Sequence, residues 1–326
     1  MTAIKTVTPD RVVRIAPPLL AAVVALAIST WIPLLGPLLI ALLLGATVAN
    51  ISFVADRLPA GQEHVAKLML RLGVVLLGLR LPFGDVLRIG LPGLAIILAT
   101  VFVTYSVTKT VGKRMALDPR FVTLLAAGFS ICGAAAIAAI DDAVSAREKD
   151  VALAVAMVTL FGSAMIALVP WFSGPLNLTN DQAAVWAGAS IHEVAQVVAA
   201  ASLLGGGALA VATTVKLGRV MLLAPVYAIA ARGARREDGT RMPLVPWFVI
   251  AFVAAVALRS TGLLPGTALD LASQATTLLL AAGMFGLGVG FMIKDMWPLP
   301  WAAFGLATFS TLVAGGVSLA LVLTLI

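Results

Sequence analysis

The stretch Leu124-Leu125-Ala126-Ala127-Gly128-Phe129 is matched later in the chain by Leu279-Leu280-Ala281-Ala282-Gly283-Met284. Internal duplication in an apolar chain is typical of transporter folds. Residues 36–172 and 182–326 are therefore predicted to be two copies of one five-helix plan, joined by a linker at 173–181. Further stretches recur in the same order: Gly45–Asn50 matches Gly188–Glu193, Arg71–Leu77 matches Lys216–Leu222, and Leu91–Leu94 loosely matches Val245–Phe248.

The composition assigns the chain to the membrane. It is 61% hydrophobic and only 11% charged, whereas a soluble domain carries about a quarter charged residues. So much apolar surface requires lipid as its solvent. We predict an all-α polytopic membrane protein with about eleven spans, each long enough or nearly so to cross about 30 Å of hydrocarbon. The predicted spans are 17–34, 36–54, 65–82, 90–111, 121–143, 150–172, 182–204, 209–231, 244–261, 271–293 and 298–326.

The distribution of positive charge predicts an orientation. Residues 1–35 hold an N-terminal segment and a retained first helix outside the repeats. With the N-terminus in the cytoplasm, most lysines and arginines fall in cytoplasmic segments, as membrane proteins prefer. Arg147 and Lys149 are exceptions, because this topology puts them outside. Five helices precede the second copy, so the two repeats are predicted to be inverted relative to the membrane, with binding near the midplane.

Glycines cluster in the fourth helix of each repeat, at 128–133 and again at 283–290. Because glycine lowers helix propensity and permits unusual backbone angles, such clusters predict discontinuous helices. A broken helix exposes amides that can hold an anion. The alternative is close packing of unbroken helices through small residues. The candidate substrate or ion-binding residues from these clusters are Ser130, Cys132, Gly133, Gly286 and Gly288.

A second polar cluster, His192, Glu193 and Gln196, lies in the seventh span. His192 and Gln196, four residues apart, are predicted to share a helix face, and Glu193 and Gln196, three apart, to be neighbours on the same helix. Ionisable groups inside a bilayer are costly unless they are solvated or paired, so they indicate function by default. Glu193 is a candidate proton carrier. The alternative is a structural ion pair with Arg71, Lys216 or Arg219.

Arg71 and Lys216 occupy equivalent repeat positions, and an excess of positive charge near a cavity favours an anionic substrate. They are candidate substrate-binding residues, with snorkelling to the headgroups as the alternative. Asn50, the repeat counterpart of Glu193, is a further candidate. Asp141 and Asp142 are expected in a solvated loop, with a role in a cation path as the alternative. The same expectation and the same alternative apply to Asp295.

Several functions are excluded or disfavoured. Cys132 is the single cysteine, so neither an internal disulfide nor a thiolate metal cluster is expected. The segment from His192 to Gln196 resembles the zinc-protease motif His-Glu-x-x-His, but Gln196 replaces the second ligand and the donors that zinc needs are not found. No nucleotide-binding loop occurs. We therefore expect no enzyme, no metal and no cofactor beyond a coupling H⁺ or Na⁺, and no nucleic-acid partner.

The segments Leu72–Gly78, Gly128–Gly133, Gly188–Gln196 and Lys216–Arg219 together resemble the YeiH family of bacterial inner-membrane proteins, which carry the label of sulfate exporters. The resemblance covers nearly the whole chain. It implies the fold of sodium/proton antiporters and bile-acid transporters, in which two inverted five-helix repeats cross at unwound helices. Spans five and ten are then expected to cross at the site. Such folds are often homodimeric.

The sequence thus predicts a secondary active transporter of a small anion, such as sulfate, another sulfur oxyanion or an organic anion, coupled to H⁺ or Na⁺. Spans four to six and nine to eleven are expected to move against the others. Two alternatives stay open: a membrane-embedded enzyme that uses His192 and Glu193, and an anion channel.

Overall fold

The computed structural model describes residues 9–31, 36–51, 58–59, 61–80, 82–84, 89–231, 245–290 and 300–326, and in these ranges it contains helices and no strand. Asp295 lies outside them, as does the side chain of Asp142. The helices are α1 Pro9–Trp31, α2 Pro37–Asn50, α3 Gln62–Leu77 (extended by a 3-10 turn, Gly78–Arg80), α4 Gly90–Arg114, α5 Pro119–Ser130, α6 Ala134–Val144, α7 Glu148–Ser173, α8 Asn180–Ser190, α9 Val194–Leu204, α10 Ala208–Met221, α11 Leu223–Ala231, α12 Trp247–Ser260, α13 Gly266–Val289 and α14 Trp301–Leu325.

Within the described ranges, six helical segments are long and apolar enough to cross a membrane, and α2, α9 and α12 are shorter apolar helices. The predicted class, an all-α membrane protein, is therefore confirmed. The count of eleven spans and the inversion of two repeats stay predictions. The six long segments are Arg14–Trp31, α4, α7, Ala208–Ala231, α13 and α14.

The helices pack as two bundles. In the first, here called the panel bundle, α13 packs against α1, α2 and α3, and α12 packs against α3. The second, the core bundle, comprises α4 to α11 and α14: α4 packs on α14, α8 on α10 and α14, and α9 on α7 and α10. This division differs from the expected one, because the predicted spans seven and eight lie in the same bundle as spans four to six, whereas spans nine and ten lie in the other.

The glycine cluster in α13 serves close packing. A Cβ atom added to Gly283, Gly286 or Gly288 would lie 2.4 Å from Leu70 Cγ, 2.3 Å from Ala66 Cβ or 2.2 Å from the Leu42 carbonyl oxygen, respectively. The helix continues through these glycines to Val289. The predicted break in span ten is therefore wrong, and the alternative, tight packing through small residues, describes these glycines.

The predicted break in span five is confirmed. Helix α5 ends at Ser130, α6 begins at Ala134, and Gly133 between them has a φ of +75°, which favours glycine. A second interruption lies in span seven, where α8 ends at Ser190 and α9 begins at Val194. Span seven, not span ten, therefore provides the second discontinuous helix.

Candidate functional site

The two interrupted helices meet, and Lys216 of α10 joins them. Its Nζ donates to the carbonyl oxygens of Ile131 and Ile191, at 2.7 Å in each case. These carbonyls follow the last residues of α5 and α8. The ammonium group is fully buried, so Lys216 does not snorkel to the headgroups. Its ammonium group instead links the two interruptions through these hydrogen bonds.

Arg219, one turn further along α10, completes this arrangement. Its guanidinium donates to Ser130 O at 2.8 Å and to Ala189 O at 2.6 Å, one on each broken helix. It also donates to the carbonyls of Phe129, Gly188 and Ile191. The last carbonyls of a helix lack intrahelical partners and carry partial negative charge, which cations stabilise. The two cations thus cap the C-terminal ends of α5 and α8.

Glu193 lies at the opposite helix ends. It is the N-cap residue of α9, where its side chain accepts from the backbone N–H of Gln196. Its carboxylate also accepts from the backbone N–H of Ala134 at the start of α6 and from Thr159 Oγ1 at 3.3 Å. The carboxylate therefore lies at the positive N-terminal ends of α6 and α9, the helices that follow the two interruptions.

The surroundings of Glu193 leave little free space within the core bundle. A Cβ on Gly133 would lie 2.5 Å from Glu193 Cγ, so only glycine fits at this contact. Gln196 accepts from the Glu193 backbone N–H at 3.0 Å and donates to Thr159 O at 3.1 Å. Glu193 and Gln196 are therefore a reciprocal capping box, rather than two neighbours on the face of one continuous helix.

His192 points into the core bundle. Its Nε2 lies 3.1 Å from Thr311 Oγ1 on α14, and its ring meets the Phe129 ring edge-on, with centroids 4.6 Å apart. The side chain is fully buried. His192 therefore packs between α5 and α14.

A cavity of about 620 Å³ lies between the two bundles and reaches Glu193. Its core-bundle wall includes Cys132, the first residues of α6 and α9, and Glu193 itself. Its panel-bundle wall includes Leu70, Arg80 and Leu280. The N-terminal ends of the two second half-helices thus face the cavity, whereas the C-terminal ends capped by Lys216 and Arg219 lie behind it.

Six of the predicted site residues lie where the two interrupted helices meet: Cys132, Gly133, His192, Glu193, Gln196 and Lys216. Ser130 is also there, but its hydroxyl donates to Ala127 O in its own helix at 3.3 Å. Arg71 lies elsewhere, with its guanidinium carbon 5.9 Å from the centroid of the Phe248 ring. Asn50 is exposed at the end of α2, where its amide donates to Ala46 O at 2.7 Å.

Three neighbours of the site were not predicted. Arg80 falls within the predicted span 65–82 but was not a candidate site residue; it lines the cavity and donates to the backbone oxygen and hydroxyl of Ser273. Thr159 and Thr311 are ordinary threonines of apolar helices, and nothing in the sequence distinguishes them. The second interruption did have a signal: Ala127-Gly128-Phe129-Ser130-Ile131 and Ala187-Gly188-Ala189-Ser190-Ile191 differ at one position and precede both breaks.

An ion pair joins the two bundles away from this cavity. Lys67 Nζ on α3 lies 2.8 Å from an Asp141 carboxylate oxygen on α6, and the Asp141 side chain is only 4% exposed. The other carboxylate oxygen accepts from the backbone N–H of Ala146 at 3.1 Å. The expectation that Asp141 lies in a solvated loop is therefore wrong. In the part of the chain that the structure describes, no group of three or more His, Cys, Asp or Glu side chains could hold a metal ion.

Comparison with known proteins identifies the family. The family described as "Conserved hypothetical protein 698" matches residues 15–305. The chain belongs to this family, the UPF0324 or YeiH family. The resemblance noted from the sequence is thereby confirmed. No solved structure matches the chain.

Relatives cover most of the chain. It is 40% identical to a UPF0324 membrane protein of Corynebacterium glutamicum over 92% of its own length and 89% of the relative. It is 34% identical to one of Bacteroides thetaiotaomicron, over 88% and 90%. It is 36% identical to one of Yersinia pestis, over 78% and 75%. All three are named only as membrane proteins, and nothing in their names states a substrate.

Proposed function

We propose that the protein is a secondary active transporter of a small anion, which moves its substrate by shifting the core bundle against the panel bundle. The observation that carries the proposal is the cavity between the bundles, which ends at an acidic residue held by two helix N-termini. Discontinuous helices that meet at a binding site are the pattern of secondary transporters. We place the protein in the bacterial inner membrane with a cytoplasmic N-terminus, on the charge bias of its loops.

Alternating access requires that the interface between the bundles is closed at one end. The positions of the cavity and of the Lys67–Asp141 ion pair along α3, α6 and α13 indicate such a closed end. On α3 the cavity is lined by Leu70 to Arg80, whereas Lys67 of the ion pair lies nearer the start of the helix. On α6 the cavity reaches Ala134 and Ala135, whereas Asp141 lies two turns further on. On α13 the cavity ends at Met284, and Gly286 lines a small cavity beside the ion pair. The ion pair therefore closes the end of the interface opposite to the cavity.

Glu193 provides the coupling in this proposal. While it is ionised, its carboxylate occupies the N–H groups at the starts of α6 and α9. Protonation removes the charge and weakens these hydrogen bonds, so that an anion in the cavity can bind the helix ends instead. Proton and anion then bind together and move in the same direction. Coupling to Na⁺ is the alternative.

Exchange measurements test the proposal. In proteoliposomes, internal unlabelled anion is expected to accelerate uptake of labelled anion in a saturable manner, because a carrier returns loaded faster than empty. Single-channel currents in planar bilayers would instead show a pore. Turnover of a substrate together with stoichiometric bound zinc would support the enzyme that uses His192 and Glu193.

The ion pair gives a separate prediction. Lys67→Gln is expected to open the closed side, so that backbone amides at 141–147 exchange hydrogen several-fold faster with deuterated water. The pair holds the bundles together there, and the partner left behind is a buried carboxylate. Lys113→Gln removes an exposed lysine and is the matched control. The charge swap Lys67→Asp with Asp141→Lys should restore slow exchange. Equal exchange rates in Lys67→Gln and wild type would show that the pair is not a gate.

A further inference from the structure

We infer that the substrate of this cavity is an organic anion with a single charge and an apolar body, rather than inorganic sulfate. The inference rests on the proposed function and names the substrate class of the same site. It depends on three features of the cavity: the charge that its inner end can hold, the apolar character of its walls, and the shortage of hydrogen-bond donors along them.

The inner end of the cavity complements about one negative charge. A helix N-terminus carries about half a positive charge, and the starts of α6 and α9 both line the cavity. Glu193 provides that one negative charge itself when ionised. When Glu193 is protonated, one anionic group of the substrate takes its place. Lys216 and Arg219 lie behind these helix ends, and their N–H groups donate to backbone carbonyls, so they offer no hydrogen bond to a ligand in the cavity.

The cavity wall is mainly apolar. On the panel bundle it includes Leu70, Leu77, Leu280 and Met284, and the core bundle adds Val198. A cavity of about 620 Å³ is in the range that binds organic molecules of moderate size. An ion as small as sulfate would leave most of this apolar surface without a partner. An alkyl or aryl body would cover it.

The hydroxyl groups of the cavity are not available as donors. Ser29, Ser202, Thr276 and Thr277 line it, and each hydroxyl donates to a carbonyl of its own helix, at 2.7, 2.8, 2.7 and 3.2 Å, respectively. Sulfate has four oxygens that all need donors once water is removed, and unmade hydrogen bonds of this kind are costly. Among the described lining residues, Arg80 and Glu193 alone are charged. Arg80 is held by Ser273 and attracts anions from solution.

Alkanesulfonates test the inference, because their single charge does not change with pH. Purified wild-type protein in a neutral detergent is titrated with ethane-, butane- and hexanesulfonate, with sulfate and thiosulfate, and with 1-hexanol. Ligands that bind only the folded protein raise its unfolding temperature. The apparent Kd of the sulfonates is expected to fall about fourfold for each added methylene group. Sulfate and 1-hexanol are expected to bind far more weakly than hexanesulfonate.

Variants locate the effect. Val198→Thr adds a hydroxyl to the cavity wall at nearly constant volume, and it should weaken hexanesulfonate several-fold while leaving ethanesulfonate unchanged. Val253→Thr, at an exposed position of α12, is the control. Tightest binding by sulfate or thiosulfate, or no dependence on chain length, overturns the inference and leaves anion transport standing. Equal binding of 1-hexanol and hexanesulfonate also overturns it. If no anion binds and none is exchanged in proteoliposomes, the proposed function fails as well.

Discussion

Replacing Glu193 with glutamine is expected to yield a folded protein whose anion transport no longer responds to pH. Glutamine has nearly the same shape, and its carbonyl oxygen can still accept from Thr159 and from the backbone of Ala134. It cannot take up a proton in the pH range of the assay. A proton gradient that drives wild-type accumulation of the anion should therefore have no effect on Glu193→Gln, while exchange at equal pH on both sides continues.

The measurement is uptake into proteoliposomes with and without an imposed pH gradient. Asp270→Asn, at an exposed position of α13, removes a carboxylate outside the site and should retain the wild-type response. Circular dichroism and size-exclusion chromatography establish that Glu193→Gln is folded. A Glu193→Gln protein that still accumulates anion under a proton gradient would remove Glu193 from the coupling mechanism. Accumulation driven by a sodium gradient alone would favour the other coupling ion.

Replacing Arg219 with methionine is expected to cause the largest loss of stability of any substitution considered. Methionine fills part of the volume but removes this donor from five carbonyl groups at the ends of α5 and α8, of which Ile191 O keeps Lys216 as a donor. Each buried polar group without a partner costs about 1–3 kcal/mol. We therefore expect the free energy of unfolding to fall by more than about 4 kcal/mol, a range confined to a few mechanisms such as this one.

Thermal unfolding of the detergent-solubilised variants measures this loss. Arg114→Met removes an exposed arginine at the end of α4 and should change the unfolding temperature little. Arg219→Lys keeps the charge but loses the forked set of donors, so its unfolding temperature should lie between those of wild type and Arg219→Met. If Arg219→Met unfolds at the wild-type temperature and loses only transport, the guanidinium binds substrate instead of holding the helix ends.

The sequence predicts those parts of the site in which a residue type has one main structural explanation. Gly128 to Gly133 indicated a broken helix, and Gly133 does adopt a positive φ. Glu193 and Gln196 stood out because ionisable and amide groups are costly within apolar spans. The prediction that they are neighbours on one continuous helix is wrong, because that helix ends at Ser190 and Glu193 is the N-cap of the next one.

The remainder depended on contacts between distant segments. Glycines in α13 are compatible with a helix break or with close packing. Packing is the observed outcome, because Ala66 and Leu42 on neighbouring helices lie where a Cβ atom would be. The match of Ala127–Ile131 with Ala187–Ile191 is closer than the match that pairs Gly128 with Gly283, and it marks the two segments at which the helices end. Lys216 and Arg219 were recognised as intramembrane cations, but their carbonyl partners lie on other helices and have no signature in the sequence.

Labelling of one introduced cysteine from both sides of the membrane tests the central claim most directly. Ala195 lines the cavity next to Glu193, and Ala195→Cys is made in a Cys132→Ala background. A membrane-impermeant thiol reagent is added to one side of oriented vesicles at a time. The proposal predicts faster labelling from the side of the open cavity than from the opposite side, and Lys67→Gln should slow the first rate and raise the second. Labelling from one and the same side only in both proteins, or labelling rates from the two sides that Lys67→Gln leaves unchanged, would contradict alternating access gated by this ion pair.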